Sequence, residues 1–124
     1  MGTLRLDIHP SVTDIDQAAW DRWFGGDYPF LTWRFLAGLE ASGCTGGESG
    51  WRPFHLVLRE QTMGDERVVA AAPGFLKEHS YGEYVFDWAW ADAWHRSGRN
   101  YYPKLISAAP FTPATGPRIY CDPD

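Results

Sequence analysis

The stretch FHLVLREQTMGDERVVAAAPGFL at residues 54–76 decides the fold. Apolar and polar residues alternate along 54–60, the segment TMGDE at 62–66 has the composition of a turn, and 68–76 is apolar and rich in small residues. Two such runs joined by a turn predict a β-hairpin. Pro73 cannot donate a hydrogen bond to a strand ladder, so we expect an edge, a bulge or a break at that position.

Outward from the hairpin, residues 4–8 alternate in the same way and predict a further strand. Thr13 is a candidate N-cap for a short helix that ends at Gly25-Gly26. Thr32 is a candidate N-cap for a second helix, which ends at Ser42-Gly43.

Beyond the hairpin the periodicity becomes helical. Asp87 is a candidate N-cap for the segment DWAWADAWHRSG, with Gly98 as the residue after the helix. Trp90 and Trp94 lie four residues apart and therefore share a face, which is typical of core packing. Residues 104–108 predict a last strand, so the predicted order is β-α-α-β-β-α-β, a mixed α/β fold.

Composition narrows the classes of function. The chain has 124 residues, the size of one domain, and its formal charge is 11 − 16 = −5. An acidic chain lacks the field that attracts nucleic acid or anionic lipid, so we expect neither DNA nor membrane partners. No apolar run is long enough to span a membrane and no apolar leader is visible at the N-terminus, so we expect a cytoplasmic protein. Aromatic residues reach 16%, enough for a dense core, an aromatic ligand cleft, or both.

Three segments in order, HSYGEYVFDWAW (79–90), YYPKL (101–105) and PFTPATGPR (110–118), resemble predicted N-acyltransferases of the peptidoglycan biosynthesis/recognition family. These proteins belong with the Fem-like branch of the GNAT superfamily. PFLTWRFLAGLEASG at 29–43 and the hairpin ending in GFLKEH extend the resemblance over nearly the whole chain.

The resemblance implies a GNAT-like fold with a mostly antiparallel sheet flanked by helices. It also implies transfer of an acyl or aminoacyl group to a small-molecule or peptide amine, from an acyl-CoA thioester or an aminoacyl-tRNA. Relatives of this kind are about three times longer, and the GNAT donor signature R/Q-x-x-G-x-G/A is not present. We therefore expect residues 1–124 to be the N-terminal, incomplete portion of a GNAT-like protein that binds no cofactor by itself, the alternative being a naturally short relative without catalysis of its own. An unpaired sheet edge would then favour a homodimer.

Acylation of an amine needs a base for the amine proton and a donor group near the developing oxyanion. Glu83 and Asp87 are the candidate acids, and both face the same side if their segment is extended. The alternative is a solvated loop acid at 83 and a simple helix cap at 87. Phenol groups that could donate a hydrogen bond or act as a general acid come from Tyr81, Tyr84, Tyr101 and Tyr102, of which Tyr102 is the strongest candidate, with core packing as its alternative. Lys104 could hold an anionic group, with an ordinary surface lysine as its alternative.

Four other residues are candidate substrate ligands. Tyr81 brings a further phenol, and Trp88 could form part of an aromatic wall. Thr112 and Arg118 lie in a segment with three prolines at 110, 113 and 117, which presents them at little cost in ordering. The alternative function is a non-catalytic, aromatic-lined module that binds a cell-wall sugar or peptide, or an inactive fragment that dimerises.

Overall fold

A computed structural model of the chain describes residues 2–83 and 87–123. The strands are β1 (Thr3–His9), β2 (Trp51–Pro53), β3 (His55–Thr62), β4 (Asp65–Ala72), β5 (Phe75–Lys77), β6 (Lys104–Ile106) and β7 (Tyr120–Cys121). The α-helices are α1 (Gln17–Trp20), α2 (Trp33–Ala41) and α3 (Trp88–Arg96). A π-helical segment, Asp21–Gly25, continues α1, and 3₁₀ turns cover Val12–Asp14 and Pro29–Leu31. The mixed α/β class is confirmed.

The described strands form two antiparallel sheets where the sequence predicted one. The larger sheet has the order β1-β3-β4-β7 and the smaller has the order β2-β5-β6. The antiparallel character is therefore confirmed, while β2 and β7, of three and two residues, are additions that no sequence pattern indicated.

The predicted hairpin joins these two sheets. β2 leads directly into β3 and β4 leads into β5, so one long pair of strands is interrupted in the middle. At the interruption, the Phe54 N–H donates to the Gly74 carbonyl over 2.8 Å, next to Pro73. A Cβ on Gly74 would lie 2.4 Å from the Phe54 carbonyl oxygen, so the close approach requires glycine. The break expected at Pro73 is confirmed.

The helical segments cover one face of the larger sheet. Trp20 and Phe24 are fully buried, and the edge of the Trp20 ring packs on His55 at a centroid distance of 5.1 Å. The Trp20 indole donates to the Leu31 carbonyl over 2.8 Å, which satisfies its polar atom inside the core. Burying each large apolar side chain contributes about 1.5–3 kcal/mol, so this layer fixes the sheet on which the hairpin is built.

Of the N-caps predicted at Thr13 and Thr32, only the one at Thr32 is confirmed. Thr32 caps α2 as predicted, its hydroxyl accepting from the Phe35 N–H over 3.2 Å. The N-cap predicted at Thr13 is wrong, because residues 12–14 form a separate 3₁₀ turn. Asp16 caps α1 instead and accepts from the Ala19 N–H over 2.9 Å.

Helix α3 begins after Asp87 and ends before Gly98, whose φ of +84° is the left-handed conformation expected of that position. The core role predicted for Trp90 and Trp94 is wrong, since they are 74% and 44% exposed. The helix rests instead on its Ala91 side, which is buried, and this contact turns the two indoles outward.

Strand β1 forms an edge of the larger sheet and pairs with β3 alone among the described strands. Leu4, Leu6 and Ile8 on this strand are at least half exposed. The homodimer expected at an open edge stays a prediction. No helix in the described part of the chain combines the length and hydropathy needed to cross a bilayer.

Candidate functional site

Both lysines of the chain meet at one carboxylate. Lys77 ends β5, Lys104 begins β6, and the two residues lie directly opposite each other in the antiparallel ladder. Two like charges at such positions would repel. Glu83 relieves the repulsion, because its Oε2 accepts from Lys77 Nζ over 2.8 Å and its Oε1 accepts from Lys104 Nζ over 3.0 Å. Each carboxylate oxygen is therefore held by a different strand.

Lys77 is the most deeply buried charged group of this cluster, with a side chain that is 0% exposed. Its ammonium also donates to the Tyr81 carbonyl over 2.7 Å and lies 3.8 Å from the centroid of the Trp51 ring. Burial lowers the pKa of the Lys77 ammonium, and the hydrogen bond to Glu83 offsets only part of that effect. Holding this lysine charged in the interior therefore costs free energy, which makes its position unusual for a purely structural residue.

Asp87 forms the second carboxylate of the cluster. Its Oδ2 accepts from the Tyr101 hydroxyl over 2.7 Å and from Lys104 Nζ. Burial alone would raise the pKa of the Asp87 carboxyl, but hydrogen bonds from Lys104, Ser80 and Tyr101 outweigh it and lower the pKa to about 2. The other oxygen, Oδ1, is buried and has no hydrogen-bond partner among the described residues. The Oδ1 atom of Asp87 is thus a hydrogen-bond acceptor without a donor among the described residues.

A chain of hydroxyl groups links the cluster to the phenols. Ser80 is buried, and its Oγ accepts from Lys104 Nζ over 2.9 Å and lies 2.6 Å from the Tyr102 hydroxyl oxygen. Burial works against the charge on Lys104, yet the hydrogen bonds to Asp87 and Glu83 raise the pKa of its ammonium above the usual value. Lys104 is therefore a fixed cation that orients both carboxylates and the Ser80–Tyr102 pair.

Beside the cluster lies a cavity of about 370 Å³, within the range of small-molecule sites. Its lining includes Trp51 and Glu83, together with Thr112 and Arg118 from the segment after β6. Gly82 at the rim has φ of +81°, and a Cβ there would lie 2.7 Å from Phe111 Cδ1. Glycine at this position therefore keeps the Glu83 side of the cavity in contact with the proline-rich segment.

Arg118 is locked to its own segment. Its Nη1 donates to the Gly116 carbonyl and its Nη2 donates to the Ala114 carbonyl, each over 3.0 Å. The Ser107 hydroxyl donates to the Arg118 carbonyl over 3.2 Å, which ties the segment to the end of β6. Within the described residues, Arg118 lines the cavity and forms no ion pair.

The structure brings most of the predicted site residues together. Glu83, Thr112 and Arg118 line the cavity. Asp87, Tyr102 and Lys104 form the adjoining hydrogen-bond network. The Tyr81 carbonyl belongs to the same network, but the Tyr81 ring is 68% exposed and packs on the half-exposed Trp88 at 5.5 Å, outside the cavity lining. Asp87 occupies the N-cap position, yet its side chain makes no cap hydrogen bond.

Sequence reasoning missed Lys77, Ser80 and Trp51 as members of the site, and it named Tyr101 only as one of four candidate phenols. One signal was present for the lysines: the chain has two, and both lie in segments that carry the resemblance. Trp51 gave no signal, because the short strand that buries it was not predicted. Tyr84 lies outside the described residues. No group of three or more histidine, cysteine or acidic side chains suited to a metal ion occurs in residues 2–83 and 87–123.

A comparison with family models matches residues 11–124 to the FemAB-like family, described as peptidoglycan biosynthesis/recognition. The chain belongs to this family. The match confirms the Fem-like assignment and covers every residue of the cluster and the cavity. Searches of curated proteins and of solved structures gave no match.

Proposed function

We propose that this FemAB-like chain forms the amine-acceptor side of the cleft of an N-acyltransferase that acts on cell-wall peptide. The observation that carries the proposal is the placement of Glu83. It is the single acid among the described residues that line the cavity, and two strands hold it through Lys77 and Lys104. A carboxylate fixed in this way at a cavity wall is suited to receive an ammonium group and its proton.

The proposed exchange begins at Lys104. Because this lysine also holds Asp87, it can release Glu83 Oε1 to the incoming acceptor ammonium without losing all its partners. Glu83 then takes one proton from the acceptor, and the free amine attacks the carbonyl carbon of the donor. The new C–N bond replaces the C–S bond of a thioester or the C–O bond of an aminoacyl ester, and the second proton that the amine nitrogen loses passes to the leaving sulfur or oxygen.

The Tyr102 hydroxyl is suited to stabilise the negative charge that develops on the donor. The oxyanion that develops on the donor carbonyl needs a nearby hydrogen-bond donor. The Tyr102 hydroxyl is held by Ser80, which is in turn held by Lys104. This arrangement supplies a positioned phenol next to a fixed cation. In this proposal Tyr102 donates to the oxyanion or to the leaving group, while Asp87 keeps Lys104 in place.

Transfer should be measured directly. A purified protein that contains this chain together with a donor-binding part is mixed with a lysine-containing peptide and either acetyl-CoA or alanyl-tRNA, and the amide product is quantified by mass spectrometry. We expect Glu83→Gln to lower the rate by about 10²-fold or more, the usual contribution of a general base. Glu48→Gln is the matched control, because Glu48 is exposed. Equal rates for Glu83→Gln and Glu48→Gln, or no product with either donor, would refute the proposal.

A second candidate is a non-catalytic module that binds a cell-wall sugar or peptide. It is favoured by exposed rings: Tyr81, whose carbonyl accepts from Lys77, is 68% exposed, and Trp88, which packs on Tyr81, is 45% exposed. Trp90 on the same helix as Trp88 is 74% exposed. Aromatic faces of this kind suit the apolar face of a sugar. Calorimetric titration with a muropeptide separates the two candidates, since saturable binding without donor-dependent turnover favours the module. Loss of that binding in Trp88→Ala, with Trp94→Ala as the matched control, would place it at these rings.

A further inference from the structure

The cavity carries one positive charge that the cluster does not neutralise. Lys77 and Lys104 contribute two positive charges, and Glu83 and Asp87 contribute two negative ones, so the four groups cancel. Arg118 adds a fifth charge to the lining and has no acidic partner among the described residues. In a chain of net charge −5, a guanidinium left unpaired at a cavity is a specific attractor for an anion.

The guanidinium is already oriented. Two of its five N–H groups are used on the Gly116 and Ala114 carbonyls, which leaves three donors. Because the backbone of the proline-rich segment holds the group, little side-chain entropy is lost when a ligand binds. Thr112 adds a hydroxyl to the same lining, and this hydroxyl makes no hydrogen bond to any described residue. Arg118 and Thr112 therefore bring unused donors to the lining that Glu83 shares.

The charge balance selects the kind of anion. A carboxylate brings a single negative charge and two oxygens, which match one arginine and its planar pair of N–H groups. A phosphate brings up to two charges and would also lie near Glu83. The described lining includes no second free cation, since Arg118 is its one basic residue. A carboxylate is thus the better match.

We propose that Arg118 binds a free carboxylate of the acceptor, so that the acceptor is an amino acid or peptide carrying both an amine and a carboxylate. The inference rests on the proposed function. Glu83 receives the amine, while Arg118 and Thr112 in the same cavity lining receive the carboxylate. The cavity then recognises its ligand by two opposite charges, and an amine without the acid group binds weakly.

The test uses L-lysine and L-lysinamide, which differ in that the carboxylate becomes a neutral amide. Binding to the full chain is followed by NMR through the Trp51 indole N–H and the Thr112 amide, both of which report on the cavity wall. We expect saturable shifts with lysine, and an affinity at least about tenfold higher than for lysinamide, equivalent to 1.4 kcal/mol. Equal affinities, or no saturable shift with lysine at tens of millimolar, would overturn the inference.

Variants locate the effect. Arg118→Gln should abolish the preference for lysine over lysinamide, and Arg118→Lys should retain part of it, because the charge remains while the planar pair of donors is lost. Arg96→Gln is the matched control, since Arg96 is 73% exposed and pairs with Asp92 on α3. Each variant is checked for folding by its urea midpoint. A preference that survives in a folded Arg118→Gln protein would overturn the assignment to Arg118.

Two further outcomes separate this inference from the proposed function. Competition by inorganic phosphate as strong as that of lysine would show a general anion site and overturn the choice of carboxylate. Acyl transfer to lysine and lysinamide at equal rates would leave the transferase proposal intact and refute the carboxylate site. Binding of lysine with the expected preference, but without transfer from either donor, would refute the transferase and support the site.

Discussion

Replacing Glu83 with leucine should destabilise the protein much more than removing an exposed ion pair. The exposed pairs for comparison are Arg96–Asp92 on α3 and Arg52–Glu78 beside β2. The substitution leaves Lys77, which is 0% exposed, without its carboxylate. Lys77 keeps the Tyr81 carbonyl at 2.7 Å and the Trp51 ring at 3.8 Å, and neither carries a negative charge. A buried charge whose partner has been removed costs about 3–5 kcal/mol.

The upper bound follows from protonation. A lysine that cannot stay charged inside the protein can lose its proton, and from a reference pKa of 10.5 this costs about 5 kcal/mol at pH 7. We therefore expect Glu83→Leu to lower the free energy of unfolding by about 3–5 kcal/mol. In the variant the folded-state pKa of Lys77 lies further below 10.5 than in the parent chain. The stability that is lost at pH 7 is therefore regained as the pH rises from that folded-state pKa toward 10.5, the reference value of the unfolded chain.

Urea unfolding followed by tryptophan fluorescence measures these differences by linear extrapolation. The double variant Glu83→Leu/Lys77→Met should recover at least about 2 kcal/mol of the loss, because it removes the unpaired charge as well. If Glu83→Leu does not fold, the double variant must. A loss below about 0.5 kcal/mol, or a double variant no more stable than Glu83→Leu, would refute the reasoning.

Three other predictions concern single residues. Burial, with a smaller contribution from His9, lowers the pKa of His55 from 6.5 to about 4, so its stabilisation is complete above pH 6.5 and is lost as the pH falls toward 4. The stability advantage of the parent chain over His55→Asn should then shrink by about 3 kcal/mol between pH 7 and pH 4, and identical pH slopes would contradict this. The pKa of Asp87 is lowered from 3.8 to about 2, so this residue adds stability that is present above pH 3.8 and is lost as the pH falls toward 2. The free energy of unfolding of Asp87→Asn should therefore not fall with pH over this range as it does in the parent chain. An acid transition that is the same in both proteins would contradict the prediction. Gly82→Ala places a Cβ 2.7 Å from Phe111 at a φ of +81°, so we expect a loss of about 1–3 kcal/mol in urea unfolding. Gly38→Ala, at an exposed position of α2 with no atom within 4 Å, is the control and should cause no loss; equal losses would show that the contact is unimportant.

The hairpin at 54–76 shows which features of the fold could be predicted from the sequence and which could not. Alternation and turn composition predicted both strands, and Pro73 predicted the break between β4 and β5. Alternation does not show which face is buried when both faces carry apolar residues. Here His55 and Val57 are fully buried, whereas Leu56 on the other face is only partly covered. The choice is made by the helical layer, which lies far from the hairpin in sequence.

Site residues that lie within one distinctive segment could be predicted from the sequence. Site residues that come together only when strands pair could not. Glu83 and Asp87 could be identified because they lie in the most distinctive segment. Lys77 could not, because its burial arises when β5 pairs with β2 and β6, and a lysine in an apolar strand end gives no local sign of this. The outward turn of Trp90 was missed for the same reason, since helical spacing fixes a shared face but not its direction.

A crystal structure of the protein with a lysine-containing peptide bound tests the central claim most directly. Our account predicts the peptide in the cavity beside Trp51, with its amine nitrogen within about 3 Å of a Glu83 carboxylate oxygen and Lys77 still in contact with that carboxylate. A peptide seated elsewhere, such as on the exposed indoles of α3, with the Lys77–Glu83–Lys104 contacts unchanged and the cavity empty, would contradict it.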